Sequence, residues 1–80
     1  VSAFTFVING ETMDIDASPE RSLEENFKLA LMYSDNYHRP LDEWEIRHES
    51  GHLIVDIERP LAHFDANRPL FATLKVGAQG

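Results

Sequence analysis

The sequence predicts an α+β domain: one mixed sheet of four to five strands wrapped over a single helix, in the order ββαββ with a 3-10 turn before the last strand. Three observations carry this prediction. Asn9-Gly10 stands between two alternating runs, which marks a tight hairpin. Only one segment, from Ser18 to Asn36, has helical spacing over any length. Beyond it the apolar residues return to period two around Trp44 and Ile46 and again from Leu70.

The first strand is expected over residues 3–8, Ala-Phe-Thr-Phe-Val-Ile, with Phe4, Phe6 and Ile8 inward and Thr5 and Val7 outward. Asn9 and Gly10 suit a type I′ turn, which needs positive φ at both central positions. The return strand, residues 11–16, sets Thr12, Asp14 and Asp16 against Met13, Ile15 and Ala17, so one face meets the helix and the other meets water. Two start signals compete for the helix: Ser18 followed by Pro19, or Ser22 with Glu25 three residues on, a capping box. The second is preferred, with Pro19 and Glu20 in a lead-in turn. Glu24 and Glu25 then complement the positive end of the helix dipole, and Asn36 is the expected stop. The helix is placed over residues 23–34, with Leu23, Phe27, Ala30 and Leu31 on its apolar face.

Pro40 biases Arg39 away from helix. A third strand is read over residues 41–48, with Trp44 and Ile46 inward and Glu45 and Arg47 outward. A turn at residues 49–52 and a short strand at residues 53–55 return beside it. Leu61 and Phe64, three apart, suit one 3-10 turn under a long connection. The last strand is placed over residues 70–76. The predicted core is Phe4, Phe6, Ile15, Leu23, Phe27, Trp44, Ile46, Leu61, Leu70 and Leu74.

Eighty residues allow one domain, read as residues 1–76 with a flexible tail at residues 77–80, and leave no room for a cleft between lobes. A net charge of -7 disfavours phosphate contacts, so nucleic acid is not an expected partner and a basic protein is. The absence of cysteine excludes disulfides, thiolate metal sites and cysteine nucleophiles. No apolar run is long enough to span a bilayer and the start lacks signal-peptide features, so no membrane role is expected and the cytoplasm is the expected location. No nucleophile motif, phosphate loop or dinucleotide fingerprint occurs, so no catalytic residue and no cofactor is expected. His48 and His52 flank one turn, but the four histidines make no complete metal set, and surface histidines are the expectation. Asp14, Asp16, Glu20, Glu24 and Glu25 are read as a solvated hairpin edge and a helix N-terminus.

The element order and several local motifs resemble the ubiquitin-like β-grasp fold over nearly the whole chain. Ser22-Leu23-Glu24 is similar to the Thr-Ile-Glu that opens the ubiquitin helix, and Arg59-Pro60-Leu61-Ala62-His63-Phe64 to ubiquitin's Arg-Thr-Leu-Ser-Asp-Tyr. The fuller match resembles the bacterial ubiquitin-like proteins encoded beside E1-, E2- and deubiquitinase-like genes, some of which begin with a Phe-Thr-x-x-Ile-Asn-Gly-like stretch. The resemblance implies a protein modifier. It would be activated at its C-terminal Gly by an E1-like activating enzyme, passed to an E2-like conjugating enzyme, joined to amines of target proteins by isopeptide bonds, and released by a deubiquitinase-like protease. The chain departs from ubiquitin at several points. Asn26 falls where ubiquitin has an apolar helix residue, the first turn is shorter, and Glu45 and Arg47 replace the apolar patch that ubiquitin receptors recognise. The tail reads Gly77-Ala78-Gln79-Gly80 and not Gly-Gly.

The resemblance makes Gly77, Ala78, Gln79 and Gly80 the conjugation tail, slim enough to enter a narrow channel except for Gln79. If the third and last strands are neighbours, Arg47, His48 and Lys75 form a small cationic patch for steering, or simply a soluble sheet face. Phe71 is either an exposed partner contact or tucked under the neighbouring loop. These four are the expected partner-binding surface. The competing readings are a non-covalent β-grasp interaction module and a thiocarboxylate sulfur carrier, against which the Gln79-Gly80 ending counts. With only Lys28 and Lys75 as lysines, polymers through lysine have few sites.

Overall fold

The hairpin forms as the Asn-Gly signal requires. The computed structural model describes residues 2–76, so Gly77, Ala78, Gln79 and Gly80, the expected conjugation tail, lie outside the described residues. β1 (Ser2–Ile8) and β2 (Glu11–Ala17) pair antiparallel along their whole length, from Ser2 opposite Ala17 to Ile8 opposite Glu11. Asn9 (φ 49°) and Gly10 (φ 85°) both take the positive φ of a type I′ turn. Phe4, Phe6, Ile8, Ile15 and Ala17 are buried, while Thr5 and Val7 are half-buried.

The helix α1 (Leu23–Tyr33) starts at Ser22, whose Oγ accepts the Glu25 N–H at 3.0 Å. The Glu25 carboxylate does not complete a reciprocal capping box. It lies instead 3.4 Å from the Ser22 hydroxyl and 3.4 Å from Arg21. Two N–H groups of the first helical turn are taken by a distant segment: Leu23 donates to Arg59 O (2.8 Å) and Glu24 to Ile57 O (2.9 Å). Asn26, the departure noted above, is 3% exposed and fully used. It accepts from Ser18 N–H at 2.9 Å and donates to Ser18 O and Ser22 O, clamping the lead-in turn onto the helix. The stop falls one residue earlier than expected. Asp35, not Asn36, takes the left-handed conformation (φ 66°), and the N–H groups of Asp35 and Asn36 return to Met32 O and Leu31 O in a Schellman motif. Asn36 adds a side-chain bond to Ser34 Oγ at 2.8 Å.

The second half of the chain is less regular than its sequence pattern implies. The expected strand over residues 41–48 divides: Leu41–Glu43 is a 3-10 turn following Pro40, and only Trp44–Arg47 forms β3. Pro40 leads in with a φ of -58°, and Glu43 N–H closes the turn on its carbonyl. The expected strand over residues 53–55 is a single bridge between Arg47 and Leu53. Its physical cause is the bend that follows, where Ile57 N–H closes on Val55 O and swings Ile57 O to the helix N-terminus. The helix takes the carbonyl, and the ladder ends. A 3-10 turn at Leu61–His63 buries Leu61 and partly buries Phe64, as expected from their spacing. β4 (Leu70–Leu74) ends two residues earlier than expected.

The result is an α+β domain with a four-stranded mixed sheet of order β2-β1-β4-β3, in which β1 and β4 run parallel at the centre and β3 is antiparallel to β4. α1 therefore carries the chain from one edge strand to the other. Rings link the elements through the core: Phe4 to Phe6 (5.3 Å), Phe6 to Phe27 (5.6 Å), and Phe27 edge-on to Trp44 (5.9 Å). Of the predicted core residues only Leu74 falls short of full burial, and Ile8, Ala17, Ala30, Leu31, Ile54 and Ala72 join the set.

Candidate functional site

Strand alternation puts one row of side chains across the outer face of the sheet. Thr12 lies opposite Val7 in the hairpin, Val7 beside Phe71, and Phe71 opposite Arg47. Phe71 is 36% exposed and is flanked on one side by an apolar residue and on the other by a cation. Arg47 is held in place: its guanidinium donates to Glu45 Oε2 at 2.9 Å and to Gly51 O at 3.0 Å. The carboxylate neutralises part of its charge, so the pair offers a ring beside a pre-positioned and partly screened cation.

The other two expected surface residues are not brought to this row. His48 follows β3 on the opposite parity, and its ring packs against Phe64 with centroids 6.0 Å apart. Lys75 is four positions beyond Phe71, about 13 Å along an extended chain. Its N–H donates to Glu43 O, and its side chain lines a groove at the far end of β3. Arg47 and Lys75 are thus at opposite ends of the strand pair. A single cationic patch made of Arg47, His48 and Lys75 is not formed. His48 and His52 face each other across the turn, His48 N–H donating to His52 O at 2.9 Å, but their rings take different partners, His52 meeting Ser50 Oγ at 3.1 Å through Nδ1. Among the described residues no three His, Asp or Glu side chains converge on a point that could hold a metal ion, and no helix is long and apolar enough to cross a membrane.

Two features escaped the sequence reading. Val7 belongs to the Phe71 row, which could not be known before the parallel pairing of β1 and β4 was seen. Leu53 and Val55 project into solvent, 47% and 73% exposed, on either side of the buried Ile54. An apolar run of three in a one-sided strand must leave two residues on the wet side or two in the core, and that signal was legible. The described surface offers a ring and a partly screened cation for docking, and the Ser50 hydroxyl beside the His52 imidazole lies on an exposed turn.

A family described as "Protein of Unknown function (DUF2604)" matches residues 3–80. The chain belongs to the DUF2604 family. A curated relative, "Uncharacterized protein y4jI" of Sinorhizobium fredii (strain NBRC 101917 / NGR234), is 33% identical over 76 residues, covering 92% of this chain and 58% of its own length. The chain therefore spans somewhat over half of that relative.

Proposed function

We propose that the protein is a ubiquitin-like modifier of the β-grasp class, joined through its C-terminal residues to target amines. The observation that carries the reading is the central place of β4: parallel to β1, flanked by β3, and leading through Lys75 and Val76 directly to Gly77-Ala78-Gln79-Gly80. The helix crossing between the two sheet edges and the docking of residues 57–62 on the helix start support the same reading. In this account a carboxylate at Gly80, native or freed by processing, attacks the α-phosphate of ATP on an E1-like activating enzyme, releasing pyrophosphate. The enzyme's thiolate then attacks the acyl adenylate and AMP leaves. Transfer to an E2-like conjugating enzyme and attack by a target lysine exchange thioester for isopeptide bond, and a deubiquitinase-like protease reverses it. The protein supplies the carboxylate and the Phe71–Arg47 docking row, has no catalytic residue of its own, and works in the cytoplasm where ATP is at hand.

Incubation with an E1-like enzyme and ATP tests this. The intact protein is expected to form a thioester that reducing agent cleaves, while a variant lacking residues 77–80 forms none and keeps its melting temperature to within about 0.5 kcal/mol. Adducts from the shortened protein, or none from the intact one with its cognate enzyme, overturn the reading. The Phe71–Arg47 row also suits a non-covalent interaction module, which would then take its place. Because Glu45 and Arg47 occupy the outer face of β3, receptors that recognise ubiquitin's apolar patch are expected not to bind.

A further inference from the structure

β3 is an edge strand whose outer side is half covered. Bonds from Ile54 N–H to Ile46 O (2.8 Å) and from His48 N–H to His52 O (2.9 Å) flank the Arg47–Leu53 bridge. In an antiparallel ladder a residue's N–H and C=O point the same way, so Ile46 N–H also faces outward, as does Trp44 C=O two residues before it. A continuing ladder would pair Ile46 N–H with Ile54 O. The bend closed by Ile57 N–H on Val55 O turns the chain away first.

Between β3 and the departing chain lies an open groove of about 630 Å³. Leu41, Trp44, Leu53, Val55 and Ile57 give it an apolar lining, and Leu53 and Val55 stand largely in water. Trp44 is 5% exposed, yet its indole N–H has no acceptor among the described residues, an uncommon and costly state for a buried donor. The charged residues along the groove are Glu24, Asp42 and Glu45 against Lys75 alone.

We propose that this groove binds an extended apolar segment of a partner protein, flanked by Lys or Arg, which adds to the outer edge of β3. The extended form follows from the edge: Ile46 N–H and Trp44 C=O need a carbonyl and an amide at strand spacing, which the interior of a helix has already used. Alternate side chains of such a segment cover Leu53 and Val55, and the segment brings carbonyl oxygens to the side where the Trp44 indole lacks one. The basic flanks follow from Glu24, Asp42 and Glu45, the last already paired with Arg47, set against one ammonium group. The same charges oppose a second copy, since each chain carries -7. The site adjoins the Phe71–Arg47 row, since Leu53 bridges Arg47 and Glu45 is paired with it, and it does not depend on conjugation.

The test is an amide NMR titration of the 80-residue protein with the peptide Lys-Lys-Val-Thr-Ile-Thr-Val-Lys-Lys. Saturable shifts are expected at the Ile46 amide and the Trp44 indole. Affinity is expected to fall by about tenfold when the Lys residues are replaced by Glu, and several-fold as salt rises from roughly 50 to 300 mM. Val55→Asp, at a position 73% exposed, keeps the dispersed spectrum of the folded protein and lowers affinity. No shift up to millimolar peptide, shifts centred on Phe71, or equal binding of the Glu-flanked peptide would overturn the proposal. So would Ile46 and Trp44 resonances that move with protein concentration alone, because a second copy would then be the occupant.

Discussion

Residues 2–33 and residues 34–69 are of similar length and are built on different kinds of contact. The first region holds two seven-residue strands and an eleven-residue helix. The second yields one four-residue strand and two three-residue 3-10 turns. In the first, each element is specified by its neighbours in sequence: a turn whose two residues accept positive φ, a cap three residues from its donor, an alternating pattern. In the second, position is set by distant groups. Ile57 O and Arg59 O are taken by the helix N-terminus, Leu61 N–H reaches Arg21 O, and Ala62 N–H reaches Pro19 O. A helix end left with open N–H groups can therefore overrule the strand preference of a Leu-Ile-Val run.

Phe27 is where the two regions meet, fully buried between Phe6 of the first and Trp44 of the second. Phe27→Ala should have the largest effect, a loss of about 3–5 kcal/mol seen in chemical denaturation. Both regions should melt together. Two separated transitions, or an unchanged melting temperature, would break the comparison by making the regions independent.

Asn26→Ala comes next. It removes three hydrogen bonds from a buried site and leaves the Ser18 N–H to find water, while Ser18 O and Ser22 O keep the N–H groups of Arg21 and residue 26, a cost of about 2 kcal/mol. Hydrogen exchange should show the lead-in turn at residues 18–22 opening while the β1–β2 ladder stays protected. Ser22→Ala removes one capping bond and should cost about 1 kcal/mol, half the effect of its neighbour. Equal losses from the two variants would mean that Asn26 acts as little more than a packing group. The smallest effect is expected for Val55→Ser, within about 0.5 kcal/mol by thermal melting, because its side chain is outside the core.

The same division decides what the sequence could convey. Asn9-Gly10, Ser22 with Glu25, and the Phe4, Phe6, Ile8 alternation each act over five residues or fewer, and each was legible. The helix stop was misplaced by one residue because Asp35 and Asn36 both tolerate the left-handed conformation, and the choice rests on where the last apolar contact falls. The strand expected at residues 53–55 failed because its rival, the helix N-terminus, is more than 25 residues away. At the candidate surface, Arg47 lies opposite Phe71, whose position the sequence left open between solvent and a neighbouring loop. His48 was misassigned because the strand's alternation turns it toward Phe64, and Lys75 because the strand pair separates it from Arg47 by its own length. The groove beside β3 depends on an interrupted ladder, which no local pattern announces.

The modifier reading stands or falls on whether Gly80 is found bonded to another protein. Trypsin cuts after Lys75, so a target lysine joined to Gly80 would carry the branched remnant Val76-Gly77-Ala78-Gln79-Gly80 after digestion. Mass spectrometry of digests from cells that make the protein together with its conjugating enzymes should find that remnant on lysines of other proteins, and lose it when the E1-like enzyme is deleted. If the Val76-to-Gly80 peptide is recovered abundantly and always with a free terminal carboxylate, the protein is not a modifier.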